Sequence, residues 1–178
     1  YMYFPSLEEF REKAKEGNLI PVYKEIMADM ETPVTAFLKI DTGKYSFLLE
    51  SVEGGEKWGR YSILGSNPSI IFNCKGNKVT VTRDSVTESL ETADPLSVLK
   101  ELMDRYKPVK LPELPRFFGG AVGFLSYDMV RFFEDIGNTA ADTLKIDDAV
   151  FVITDTLLIF DNLKHRIKVV SNAHINGD

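Results

Sequence analysis

From Tyr45 onward the chain is cut into short β-branched and aromatic runs by turn residues, and this restricts its fold more than any other feature. Residues 45–51, 61–64, 69–75 and 78–83 read as strands. Gly76-Asn77 sits between the last two as a hairpin turn. Residues 117–126 are apolar and glycine-rich and read as a buried strand. Residues 149–160 and 166–170 read as a late hairpin around 161–164.

Three helices flank this pattern. Ser6 followed by Glu9 is a capping box; Leu7, Phe10 and Ala14 then share a face, with Gly17 as the stop. Thr32-Pro33 opens a second helix, with Thr32 as N-cap and Pro33 in the first turn, ended by residues 41–43. Asp94-Pro95 opens a third, whose apolar face is Leu96, Leu99, Leu102, Met103 and Tyr106. Residues 19–27 begin as a strand, and Pro108, Pro112 and Pro115 stiffen a loop. The expectation is an α+β fold, largely antiparallel sheets with flanking helices, in a single domain over residues 1–178.

With 44% hydrophobic residues there is material for a core, and a net charge of −6 argues against a nucleic-acid footprint. The single cysteine, Cys74, excludes an intrachain disulfide and suits a reducing compartment. No apolar run nears the ~20 residues a membrane span needs, and no charged-then-apolar leader opens the chain. The expected location is the cytoplasm, with no membrane partner.

Few residues are placed for chemistry. His165 and His174 have no metal-ligand spacing to any acid or cysteine and read as solvated. Cys74 lies in a strand beside no base and reads as an inert thiol. Gly119-Gly120-Ala121-Val122-Gly123 lacks the Lys-Ser or Lys-Thr of a phosphate loop, so its glycines mark a bulge or the close approach of another backbone. Residues 47–65 are more informative. A strand ends in Glu50-Ser51, a Gly54-Gly55 loop follows, and a second strand starts at Arg60-Tyr61-Ser62. Glu50 can balance an ammonium, Arg60 a carboxylate, and Leu49 and Tyr61 an apolar side chain, the groups a free amino acid requires. The same spacing also describes a surface hairpin with a Glu–Arg pair worth ~0–1 kcal/mol.

Leu48-Leu49-Glu50-Ser51 and Gly59-Arg60-Tyr61-Ser62-Ile63-Leu64-Gly65 resemble the tryptophan-site motif of anthranilate synthase component I. Asn18-Leu19-Ile20-Pro21-Val22-Tyr23, Glu31-Thr32-Pro33-Val34 and the stretch from Phe118 through Gly119-Gly120-Ala121-Val122-Gly123-Phe124 to Asp128 agree in the family's order. The resemblance implies the N-terminal half of the chorismate-utilising fold. It implies tryptophan as a feedback effector held by Leu49, Glu50 and Ser51, with Arg60, Tyr61 and Ser62 as a second wall and residues 119–128 as a third. Phe124 stands where the family usually has Tyr, which removes one hydroxyl.

It further implies that the full-length enzyme makes anthranilate and pyruvate from chorismate and ammonia. A glutamine amidotransferase subunit or domain supplies the ammonia, and magnesium is bound in the C-terminal chorismate-binding domain. No catalytic residue, metal or cofactor is expected within these 178 residues, which are expected to be inactive alone. Two alternatives are the N-terminal half of aminodeoxychorismate synthase and a free-standing amino-acid-binding module. A homodimer that covers the apolar runs 117–125 and 151–160 is a further expectation.

Overall fold

The structure, a computed structural model, describes residues 2–50, 59–137 and 141–175. The chain contains helices α1 (Leu7–Lys13), α2 (Pro33–Ile40) and α3 (Pro95–Asp104) and a 3-10 helix at Tyr127–Phe132. Its strands are β1 (Leu19–Met27), β2 (Phe47–Leu49), β3 (Tyr61–Gly65), β4 (Ile70–Lys75), β5 (Lys78–Arg83), β6 (Val86–Glu91), β7 (Ala121–Leu125), β8 (Ala149–Ile153), β9 (Thr156–Asp161) and β10 (Arg166–His174). They form two antiparallel five-stranded sheets, ordered β1-β10-β9-β3-β2 and β6-β5-β4-β8-β7. The α+β class with antiparallel sheets read from the sequence is the one observed.

Packing groups the residues into two compact units. The first comprises Tyr1–Pro68, Tyr106–Gly120 and Thr154–Asp178, and the second Ser69–Arg105 and Ala121–Ile153. In the first unit the sheet is covered on both faces, so its strands need apolar residues at both parities. On one face Tyr23, Ile63, Ile159 and Val170 pack with Leu111, Leu114 and Phe118 of the proline-rich segment. On the other, Leu64, Phe160 and Ile167 pack with Ala36 of α2, joined by Phe37, Ile40 and Leu48. Pro21 lies in β1, an edge strand, where its missing N–H costs no ladder bond.

The second unit buries one face of β4, with Ile70, Phe72 and Cys74 inward at period two. Phe72 meets Phe151 edge-on at 6.4 Å. The hairpin turn is as expected: Lys75 pairs with Lys78 across Gly76, which adopts φ 52°.

The helix starts also follow the local signals. Ser6 Oγ accepts from the Glu9 N–H while Glu9 Oε2 accepts from the Ser6 N–H. Thr32 and Thr35 form a second such box, with Pro33 at the start of α2. Asp94 caps α3 by accepting from the Ser97 N–H.

Four strand readings need correction. β1 runs the whole of Leu19–Met27, paired throughout with β10, which itself extends to His174. The run 149–160 is two strands in different sheets, because the polar Thr154-Asp155-Thr156 interrupts it. β7 is shorter than 117–126 and is not buried: it is an edge strand with Phe124 and Leu125 about half exposed. β6 was not anticipated, because Val-Thr-Glu-Ser-Leu-Glu is exposed at every position and shows no period-two apolar pattern. Its two glutamates suit an edge that must not recruit another strand.

Candidate functional site

The antiparallel pairing of β2 with β3 sets Leu49 opposite Ile63, which brings the two halves of the expected pocket onto neighbouring strands. Leu49 and Glu50 are exposed at the end of β2, and Ser51 lies outside the described residues. Arg60 and Tyr61 enter β3 on the rim of a half-open cavity of about 550 Å³ in the first unit. That size is within the range of ordinary ligand pockets. Ser62 goes elsewhere. Successive strand residues point to opposite faces, so Ser62 is fully buried while Tyr61 packs towards the face of Tyr23 and Ile63. Of the anticipated third wall, Gly119 and Gly120 belong to the first unit and residues 121–128 to the second.

The cavity is lined by the aromatic rings of Phe4, Tyr23 and Tyr61 and by paired charges. Arg60 donates through Nε to Asp161 Oδ1 at 3.1 Å and through Nη2 to Oδ2 at 2.7 Å, a bidentate pair. Its guanidinium also lies over the Tyr61 ring, 4.9 Å from the centroid. The pairing to Glu50 that sequence spacing allows is thus replaced by one to Asp161.

A second pair sits deeper. Lys168 Nζ bonds Glu25 Oε2 at 3.0 Å and lies 4.5 Å from the Tyr23 ring centre. Glu25 and Lys168 are directly opposite in the β1–β10 register, and Arg166 also reaches Glu25. Sequence reasoning missed Asp161, Glu25 and Lys168. Lys168 inside the apolar run Ile167-Lys168-Val169-Val170 was the available signal, since an ammonium there must find a carboxylate.

These neighbours set the proton affinities. Burial pushes the Asp161 carboxyl up, but the Arg60 bond and the Lys164 and Leu163 backbone N–H groups outweigh it, leaving it below the ordinary value. Glu25 is likewise raised by burial and lowered, on balance, by Arg166 and Lys168. The Asp161 bond raises Arg60, while burial chiefly raises the Tyr23 and Tyr61 phenols. The cavity therefore keeps its charges at neutral pH. It can hold a small polar molecule with an apolar body by exchange of hydrogen bonds with fixed ions.

Cys74 is fully buried, donates to the Gly76 carbonyl at 3.2 Å, and is pushed up to about 11 by burial and then by Asp148 and Asp147. It is the inert thiol expected. His165 and His174 are exposed, His174 against the Tyr106 ring. Among the described residues no group of three or more His, Cys, Asp or Glu is placed to hold a metal ion. No helix among them is long and apolar enough to cross a membrane.

Fold and cavity together define an α+β protein of antiparallel sheets with a charged, aromatic-lined cavity. No family model matches the chain. It is 41% identical over 177 residues, 99% of its length, to anthranilate synthase component 1 of Acetivibrio thermocellus, of which it covers 36%. It is 41% identical over 93% of its length to the same protein of Aquifex aeolicus, of which it covers 34%. The crystal structure of anthranilate synthase component I from Streptococcus pneumoniae superposes with a TM-score of 0.54 at 30% identity, over 85% of this chain and 32% of that one. The chain is a homologue of anthranilate synthase component 1 and spans about a third of the length of the curated relatives it matches.

Proposed function

We propose that this chain is the N-terminal, tryptophan-binding regulatory domain of a cytoplasmic anthranilate synthase component I. In this reading the whole protein converts chorismate and ammonia to anthranilate and pyruvate in tryptophan biosynthesis. A glutamine amidotransferase partner supplies the ammonia, and magnesium is held outside these residues. The observation that carries the reading is Arg60, locked by Asp161 beside Tyr61 at the mouth of an amino-acid-sized cavity, in a homologue of this enzyme. A guanidinium with donors to spare suits a carboxylate, and an aromatic ring suits an indole. Glu50 follows β2, the strand beside β3, and in this reading Glu50 and Ser51 supply the remaining amino-acid groups.

Titration of the chain with L-tryptophan, followed by amide chemical shifts up to millimolar ligand, tests this. Saturable shifts at residues 49–51 and 60–62 are expected. Their absence, or equal shifts with D-tryptophan and glycine, removes the effector role. In the full-length enzyme Glu50→Lys and Ser51→Phe should leave anthranilate formation intact and weaken inhibition, since unpaired polar groups in a pocket cost ~1–3 kcal/mol. A wild-type inhibition curve in either variant discards the site. The chain alone should form no anthranilate from chorismate, ammonia and magnesium, read by fluorescence.

A further inference from the structure

The end of β9 and the turn that follows it hold Gly59, Arg60 and Ser62 at the start of β3. The Asp161 carboxylate, nearly buried, takes two N–H groups of Arg60 and the backbone N–H groups of Leu163 and Lys164, each of the latter at 3.2 Å. Asn162 donates its backbone N–H to the Arg60 carbonyl at 2.8 Å. Its carboxamide donates to the Gly59 carbonyl at 3.3 Å and to Ser62 Oγ at 3.0 Å. Gly59, Arg60 and Ser62 are thus held by two side chains about a hundred residues away in sequence.

The consequence for Arg60 follows from counting donors. A guanidinium has five N–H groups in a rigid plane. Two go to Asp161, and the Tyr61 ring lies against the group. The other three N–H groups have no partner among the described residues, on a side chain that is only partly exposed at the cavity rim. Without Asp161 the long side chain would sample many rotamers, and a ligand would have to order it at an entropic cost.

We infer that Asp161 is a positioning residue which holds the Arg60 guanidinium ready for the carboxylate of the bound effector. This rests on the amino-acid effector reading above. Asp161 does not touch the ligand; it acts through Arg60, with Asn162 setting the backbone beneath.

The test compares L-tryptophan with tryptamine, which keeps the indole and the ammonium but lacks the carboxylate. Binding to the chain is followed by amide shifts. Asp161→Asn should weaken tryptophan roughly tenfold, as expected for one preorganised charge-assisted contact, and leave tryptamine unchanged. Arg60→Gln should do the same, and the double variant should be no worse than either single one, because both remove the same contact.

Equal weakening of both ligands would reduce Asp161 to a general structural role and overturn the inference, as would unchanged tryptophan affinity or additive losses. If Asp161→Asn melts below the assay temperature, Arg60→Lys decides. It keeps a cation against Asp161 without the fork and should lose tryptophan alone; unchanged tryptophan affinity overturns the inference. No saturable tryptophan binding by the wild-type chain sinks the effector reading itself and this inference with it. Wild-type binding that Asp161→Asn leaves intact sinks this inference alone.

Discussion

Asp161 holds Arg60 in a bidentate pair at the cavity, and its acid–base behaviour makes that pair measurable. Its folded pKa lies below the ordinary aspartate value because Arg60 and two backbone donors outweigh its burial. A depressed carboxylate pKa contributes stability that is complete above the unfolded value, about 3.9. That contribution disappears as pH falls through the lower folded value. Asp161→Asn should therefore lower stability by about 1–3 kcal/mol at neutral pH, the range for poorly paired buried donors. The gap to wild type should close on acidification below about pH 4. Glu25 is also depressed and adds the same slope to both proteins, so it cancels in the difference. Urea unfolding of the two proteins from pH 7 to pH 2 measures this. A gap that stays constant with pH would show that Asp161 contributes through packing and not charge. Cys74, at the other extreme, should resist thiol reagents in the folded state at pH 8, since burial keeps its thiol protonated. Full modification without unfolding would contradict that.

At the scale of elements, the glycine-rich stretch shows how a small residue serves a sheet. A Cβ on Gly123 of β7 would lie 1.9 Å from the Val150 carbonyl oxygen and 2.7 Å from the Phe151 Cα, both backbone atoms of β8. Neither can rotate away. Gly123→Ala should destabilise the protein by about 1–3 kcal/mol, as overpacking does. It should also loosen β7, read as faster amide exchange at residues 121–125. Wild-type melting temperature and exchange would mean that the strand shifts freely. Gly17 is used the same way, since its Cβ would lie 2.2 Å from the Lys107 carbonyl oxygen. The close approach anticipated for the second glycine cluster is thus present, and what differs is the environment of the strand. β7 needs Gly123 for its one neighbour while its outer edge and Phe124 and Leu125 stay exposed.

For the whole molecule the exposed apolar side chains matter. Residues 117–125 and 151–160 were expected to present an apolar face, but six of their apolar side chains are buried: Phe118, Val152, Ile153, Leu157, Ile159 and Phe160 are each under a tenth exposed. Phe124 and Leu125, in the first of these runs, are exposed, as are Tyr127, Phe133, Ile136, Leu144 and Ile146, all in the second unit. Large apolar side chains left in water favour association, and the edge strand β7 can pair with another strand. The chain should therefore self-associate, with a two-fold dimer as the simplest form. Light scattering across a concentration series is the measurement, and a mass held at 20.1 kDa at high concentration rules the dimer out. Phe124→Lys should shift a dimer to monomer if β7 lies in the contact.

The sequence by itself determined the features that close within a few residues. The Ser6–Glu9 and Thr32–Thr35 boxes, the Asp94 cap and the Gly76 turn each join partners at most four positions apart, so their residue types suffice to predict them. The α+β class was legible for a related reason, since alternation is a property of short segments. Tertiary structure decided the rest. Ser62 turned away from Tyr61 because strand neighbours face opposite ways. The run 149–160 divided between two sheets at a polar break that no local rule assigns to either. The partner of Arg60 became Asp161 and not Glu50 because the β3–β9 register sets Tyr61 opposite Asp161. Register is fixed by how two apolar faces pack over the whole sheet, and no segment of the chain carries that information alone.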